Sequence, residues 1–446
     1  MRTRSPSRRN FLSCMSYLAS GMVMKSNADE LPEVTYPRAT DGDDRYEPNW
    51  EKKLSITVGQ NRGDLQGKTD RVIQAAVDYL NRMNGGTLKI LPGTYTLRNS
   101  VFLPSGIKIM GSGEETILRK GASKRIELAQ DSDWYDQEIT VKNADGFEVG
   151  DGIALQAKNP SHGGNTVIKR TIVATSGNRL KLNDGLRDNL WLSGNPTCTS
   201  LFPLLTSERT QDVVIENLTL DGNKENNLNF NGNYGGCIFL QDCNRYHIRD
   251  VTTRNYNGDG ISFQISHDVR VENCHSHDNT DLGVHPGSGS QRPLIRGNLL
   301  ERNNQGIFWC WGVKYGLAEN NKIRSNRSYG ISIGHCDTDN VMRKNEITDS
   351  GRIGILFRDD VRGMDFWANR NLIENNRIVN SGSENGVAID ITGKTKDIQL
   401  LNNEIVEERA PRNRIGIRIG EAAGKVTLAR NQISGFAHQI EDQRIS

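Results

Sequence analysis

The feature that most constrains this chain is a doubled period in its second half. A Gly followed by alternating apolar positions recurs as Gly260-Ile261-Ser262-Phe263, Gly283-Val284-His285-Pro286, Gly306-Ile307-Phe308-Trp309, Gly330-Ile331-Ser332-Ile333, Gly354-Ile355-Leu356-Phe357, Gly386-Val387-Ala388-Ile389 and Gly416-Ile417-Arg418-Ile419. The spacings are 23, 23, 24, 24, 32 and 30 residues. A second row, Asn followed two residues later by Ile or Leu, moves with it at Asn298, Asn321, Asn345, Asn376, Asn403 and Asn431. A repeat of this length indicates a solenoid, in which each coil buries its apolar face only by stacking on the next.

The coils read as strands. Apolar residues alternate with period two in segments of four to six residues, too short for helices. Gly is expected to open each strand with a positive φ. Asn is expected in an internal left-handed turn, with its amide bonded to the coils above and below as a ladder. Hydrophobic content of 35% and aromatic content of 6% suit a thin core extended by stacking. The expected fold is all-β: a right-handed single-stranded parallel β-helix.

The rest of the chain completes this plan. Residues 1–28 read as a twin-arginine export signal: Ser7-Arg8-Arg9-Asn10-Phe11-Leu12, an apolar stretch to Met24, then Ser26-Asn27-Ala28 for cleavage. This predicts a periplasmic or extracellular protein. Residues 29–60 form an extension, and residues 61–123 a capping helix with the first coils. Thr69 or Asp70 can cap that helix, and Ile73, Ala76, Val77 and Leu80 share one face. Residues 124–205 break the period and read as an inserted β-rich excursion, before the repeats of 206–446. After the signal no apolar run spans a membrane, and a net charge of +2 gives no argument for nucleic acid. Cys198, Cys237, Cys243, Cys274, Cys310 and Cys336 lack a CxxC spacing; they read as small core residues with room for one disulfide. Oligomeric state is not readable.

The helix, the segment Gly85-Gly86-Thr87-Leu88-Lys89-Ile90-Leu91-Pro92-Gly93-Thr94-Tyr95, and Ile107-Lys108-Ile109-Met110-Gly111 together resemble the opening of pectate-lyase-superfamily β-helices. The resemblance covers nearly all of residues 60–446. It implies that the helix caps the open end of the solenoid. That superfamily holds lyases, hydrolases, epimerases and phage tailspikes, so fold alone does not choose a reaction. Asn217 to Asn226 and His277-Asp278-Asn279 resemble the alginate C5-epimerase branch. That branch carries Asp-Pro-His where this chain has Ser262-Phe263-Gln264, and its next Asp falls at Gly287. Asn257-Gly258-Asp259 and Asp359-Asp360 echo pieces of the polygalacturonase pattern. They lie four coils apart, at about 4.8 Å per coil, too far for one catalytic pair.

The register turns scattered polar residues into one outer stripe. Residues one and three past each Gly point inward; those two and four past it point outward. The stripe holds Ser262, Gln264, His285, Phe308, Cys310, Ser332, Arg358, Asp390 and Arg418, with Trp311, His335 and Asp359 at strand ends. A polysaccharide laid along it is the expected partner. His285 and His335 are candidate general acid or base groups. Arg358 would neutralise a uronate carboxylate and ease removal of the adjacent C5 proton. Trp311 offers a stacking face, and Gln264, Asp360 and Asp390 offer binding groups. His and Arg dominate, which favours a lyase acting by β-elimination. A hydrolase would need paired carboxylates, for which Asp259 and Asp281 are the candidates. A non-catalytic glycan-binding surface protein is the other reading. Plainer roles stand beside each: turn-capping for the Asp residues, packing for Trp311, a solvated charge group for Arg358, Asp359 and Asp360. Cofactors are open. Oxygen-rich turns suit Ca²⁺, but no EF-hand spacing is present, and no metal ligands are assigned even though His275, His277 and Asp278 cluster on paper.

Overall fold

A computed structural model describes residues 47–159 and 163–444. The twin-arginine segment, Cys14 and most of the extension lie outside the described residues. From residue 205 on, each coil adds a strand to an eleven-stranded, wholly parallel sheet. Its order is Val101–Phe102, Leu205–Glu208, Ile238–Gln241, Ile261–Gln264, Leu282–Gly287, Gln305–Phe308, Tyr329–Ile333, Ile353–Phe357, Val387–Ile391, Ile415–Ile419 and His438–Asp442. Two further rows, such as Leu294–Arg296 with Leu299–Glu301, stack in parallel to form the other faces. This is the right-handed parallel β-helix, the hand that parallel crossovers favour. Among the described residues no helix is long and apolar enough to cross a membrane.

The inward positions fill the coil. Ile261, Phe263, Val284, Ile307, Trp309, Ile331, Ile333, Ile355 and Phe357 are fully buried in one continuous core. Each such aliphatic side chain contributes about 1.5–3 kcal/mol relative to exposure. The helix Asp70–Arg82 buries Ile73, Ala76, Val77 and Leu80 against Leu54–Gly59 and Gly86–Ile90, covering the first coil. Thr69 occupies the N-cap position with extended backbone but makes no side-chain cap bond; the Asp70 carboxylate instead accepts from the Arg98 N–H at 2.9 Å.

The Asn row is the ladder its spacing implies. Side-chain amides link Asn298, Asn321, Asn345, Asn376, Asn403 and Asn431 in sequence, at 2.8–3.0 Å per rung. The left-handed turn falls one residue earlier than expected. Gly297, Asn320, Lys344, Asn375, Asn402 and Arg430 have φ of 53–67°, and none of the ladder Asn residues does. The amide is therefore selected for its two-sided hydrogen bonding. A second ladder, Asn279 to Asn303, continues to Asn326 through its backbone N–H.

The strand glycines also act differently from expectation. Gly260, Gly283, Gly306, Gly330 and Gly354 are not among the positive-φ residues. A Cβ on Gly283, Gly306 or Gly330 would lie 2.6–2.7 Å from the carbonyl oxygen of the next coil, so close stacking excludes it. The long interval after Gly354 has a related cause. Ile353 pairs with Val387 and Ile355 with Ile389, which places Ala388, not Gly386, opposite Gly354.

Strands Arg125–Glu127, Glu138–Thr140, Gly152–Lys158, Asn165–Ser176, Arg179–Leu182 and Thr197–Thr199 form a separate antiparallel sheet with its own small core, including Val141, Leu155, Ile172 and Leu180. The six described cysteines are all unpaired. The expected disulfide is therefore absent among them, and burial of Cys198, Cys237, Cys243 and Cys274 accounts for their use as small core residues.

Candidate active site

Parallel register fixes the outer row of the eleven-stranded sheet. Thr206, Phe239, Ser262, His285, Phe308, Ser332, Leu356, Asp390 and Arg418 follow one another, coil by coil. Thr206 to Ser332 spans the chemically mixed part.

His285 is the centre of the first cluster. Its Nδ1 lies 2.8 Å from Asp259 Oδ2, and both side chains are almost completely buried. Asp259 also accepts from the Leu282 N–H at 3.1 Å. Burial raises the Asp259 carboxyl pKa, and the bond to His285 opposes that rise. An ionised Asp259 fixes His285 as the Nδ1–H tautomer and leaves Nε2 as the basic atom. That Nε2 is buried and has no hydrogen-bond partner among the described residues. Ser262 Oγ donates to the Gly232 carbonyl at 2.6 Å and accepts from Gln264 Nε2 at 3.2 Å, so both side chains form the floor beside the His–Asp pair.

The second cluster surrounds Arg358. Its guanidinium carbon lies 4.2 Å from the centre of the Phe308 ring, whose edge meets His285 at a centroid distance of 5.2 Å. Arg358 donates to Ser332 Oγ at 3.0 Å, the Trp309 carbonyl at 2.9 Å and Asp360 at 3.0 Å. Asp337 Oδ2 is 3.9 Å from the same guanidinium and accepts from the Gly334 N–H. Burial pushes the Asp337 carboxyl up to about 7, against the pull of Arg358. Burial acts on Asp360 in the same sense, but the charge and hydrogen bond of Arg358 hold it below its ordinary value. Arg358 thus keeps positive charge beside Phe308, with Asp360 as its main ionic partner.

Trp311 and His335, on the two coils before that of Arg358, meet with centroids 5.5 Å apart. His335 Nδ1 accepts from the Arg362 N–H at 3.0 Å, and Phe366 closes on the ring from another side. The Arg362 guanidinium covers one face of Trp311 at 3.6 Å. This limits Trp311 as an open stacking face, because a cation already occupies the π surface.

Several expected site residues are placed elsewhere. Asp359 is exposed, and its neighbour Asp360 holds Arg358 instead; past Phe357 the strand ends, and alternation no longer sets direction. Asp390 is buried in a bidentate pair with Arg418 and is already neutralised. Asp281 accepts from Asn229 Nδ2, and Asp259 has no exposed surface. Those two therefore do not form a substrate-facing carboxylate pair. His275 and His277 stack at 4.0 Å but bind Glu301 and Asp278, which Arg302 also engages. Among the described residues no group of three or more His, Cys, Asp or Glu is placed to hold a metal ion. Sequence reasoning missed Asp337 and Gly232, which reach the site from turns that no period marks.

With this geometry in hand, the family can be stated. The sequence matches the family described as "Right handed beta helix region" over residues 216–362 and 308–442, together half of the chain. The chain belongs to the right-handed β-helix family. No curated protein matches it. Among solved structures, this β-helix is similar to the A-module of the mannuronan C-5 epimerase AlgE4 from Azotobacter vinelandii, with 15% identity and a TM-score of 0.51 over 84% of this chain and 96% of that one. The AlgE6 A-module from the same organism gives 14% and 0.52 over 83% and 91%. PfbA, a surface adhesin of Streptococcus pneumoniae, gives 15% and 0.51 over 83% and 89%. At these identities the likeness is one of fold.

Proposed function

We propose that this β-helix is an exported enzyme that binds an acidic polysaccharide along the outer row of its eleven-stranded sheet and cleaves it by β-elimination. The observation that carries the reading is the Asp259–His285 pair, whose Nε2 has no partner among the described residues and whose ring meets Phe308, the ring that Arg358 covers. Nε2 would take the C5 proton of a uronate, and the electron pair released would expel the oxygen at C4. Arg358 would stabilise the charge that develops on the carboxylate. Mannuronan C-5 epimerases act at the same carbon, which supports a uronic substrate. Because Nε2 is buried, the groups packed around it have to move aside when a sugar binds. The Arg8-Arg9 segment supports export by the twin-arginine route.

The test is incubation with galacturonan, mannuronan and guluronan, following ultraviolet absorbance of the unsaturated uronate and reducing ends in parallel. Wild-type protein is expected to generate both signals. Asp259→Asn, which removes the orienting charge, should lower kcat by about 10²–10⁴-fold with KM little changed, and His285→Ala should abolish turnover. Reducing ends without unsaturation would replace elimination by hydrolysis. Full rates in His285→Ala would end the site assignment. Binding without turnover would favour a glycan-binding surface protein, a reading that the burial of His285 supports.

A further inference from the structure

A cavity of about 680 Å³ lies between the inserted antiparallel sheet and the first strands of the eleven-stranded sheet. Phe102, Thr206 and Glu208 line it from the coils, Lys169 and Arg170 from the inserted strand Asn165–Ser176, and Tyr234 from the loop between. Thr206 belongs to the outer row that leads to His285.

The charges in this cavity are unevenly satisfied. Of its carboxylates, Asp184 pairs with Arg187, Asp188 accepts from Thr166 Oγ1 and the Asn189 N–H, and exposed Glu208 lies beside Arg209. Lys169 has no carboxylate within ion-pair distance among the described residues. Its ammonium donates to the Tyr234 carbonyl at 2.9 Å and sits 3.9 Å over the Phe239 ring. Among the described residues Arg170 donates to the carbonyls of Lys169, Gly185 and Leu186 and to no carboxylate. Behind Phe202, buried Lys120 is likewise held by a carbonyl and a ring, and burial pushes its amine down to about 7. Glu208 acts through its charge on both Lys169 and Arg170, and Asp184 acts on Arg170, but neither carboxylate forms an ion pair with them among the described residues; half-burying cations without a paired counter-ion is unfavourable unless an anion completes the site. Burial pushes the Lys169 amine down to about 8, and a bound carboxylate would reverse that shift.

We propose that this cavity is a second sugar subsite, in which Lys169 contacts the carboxylate of another uronate of the chain that reaches His285. The inference rests on the proposed acidic polysaccharide. Phe239, Ser262 and His285 are successive in register, so the ammonium stands two coils from the base, about 10 Å along the axis. The inserted sheet thereby gains a role: it supplies the cation that the coils themselves lack at this position.

The experiment measures calorimetric affinity for oligogalacturonates and oligomannuronates, from dimer to hexamer, in a His285→Ala background that does not turn them over. Affinity is expected to rise with length. Adding Lys169→Met should weaken hexamer binding by about tenfold, the worth of one charge-assisted hydrogen bond, and erase the gain from length. Lys169→Arg should restore most of it, and neutral cello-oligosaccharides should show no dependence on Lys169. Lys169→Gln, which keeps a donor for Tyr234, serves if the Met variant does not fold. Hexamer affinities within twofold of the background, in variants of unchanged thermal stability, would overturn the subsite even if the wild type cleaves polymer. Length-dependent affinity lost with Lys169, in a protein that cleaves nothing, would keep the subsite and end the elimination reading alone.

Discussion

Replacing Asn345 by Ala tests whether the amide ladder holds the coils together. Asn345 is buried, and its Oδ1 accepts from the Asn321 backbone N–H at 3.1 Å and the Asn321 side-chain amide at 2.8 Å. Its Nδ2 donates to Asn376 Oδ1 at 2.9 Å and the Ala318 carbonyl at 3.0 Å. Truncation leaves the Asn321 N–H buried without this acceptor, at about 1–3 kcal/mol. The Asn321 amide keeps Ile295 O, and Asn376 Oδ1 keeps the Asn345 N–H, so the other losses are smaller, near 1 kcal/mol each. The expected cost is about 3–5 kcal/mol, a large share of a usual folding free energy. Asn431, the last rung, is only part-buried. There water can replace the lost partners, and Asn431→Ala should cost about 1 kcal/mol. Urea unfolding followed by far-ultraviolet circular dichroism measures both. Amide exchange at Asn321 shows whether opening is local, as a stacked array allows. Equal costs for the two variants would refute the argument, since a ladder whose middle is worth no more than its end does not stabilise by mutual burial.

Two further perturbations separate packing from charge. Gly330→Ala would place its Cβ 2.6 Å from the Gly354 carbonyl and 2.5 Å from an Ile347 methyl; it should cost about 1–3 kcal/mol through overpacking, and an unchanged urea midpoint would show that the coils can spread. Buried Lys120 has its amine pushed from 10.5 down to about 7 by burial. Between those values the unfolded chain binds the proton that the folded chain has released, so stability rises with pH from about 7 to 10.5. Lys120→Met should flatten that rise and raise stability below pH 7, and a pH profile identical to wild type would contradict it.

The parts of the fold legible in the sequence are those that stacking repeats. Ile331 and Ile355 point inward because strand alternation is strict, and Asn321 and Asn345 align because an amide rung needs an identical neighbour. Legibility fails where local geometry departs from the repeat. Gly386 looks like the next strand glycine, yet Ala388 holds that register because the turn before it is longer. Asp359 and Asp360 are adjacent in sequence, but only Asp360 turns back to Arg358. His285 and Arg358 were readable as outer-row residues. Asp259, just before Gly260, reads as a candidate carboxylate but not as the partner of His285; Asp337, which faces Arg358, and Gly232, which accepts from Ser262, come from irregular turns, and Lys169 comes from the aperiodic insertion.

The same contrast limits where chemistry can occur. Along the first ladder, each Asn meets a copy of itself and a carbonyl of the coil before, and these bonds satisfy its amide. On the outer row no two successive residues match, and each must be satisfied by other means. At its far end Asp390 and Arg418 neutralise one another, and Leu356 has nothing to offer. At its near end Phe239 is covered by Lys169. Between them, Ser262 and Ser332 are committed to Gly232 and to Gln305 with Arg358. His285 Nε2 and Trp309 Nε1 stay buried without partners among the described residues, on two successive coils. Trp309 points into the core, where an unpaired N–H is a cost of packing a large ring. His285 lies on the outer row, so its unpaired nitrogen is the one that a ligand can reach once the groups around it move. The reaction, if it is elimination, has to be centred on that atom, which is why Asp259→Asn and His285→Ala discriminate more sharply than any change to Arg358 or Trp311.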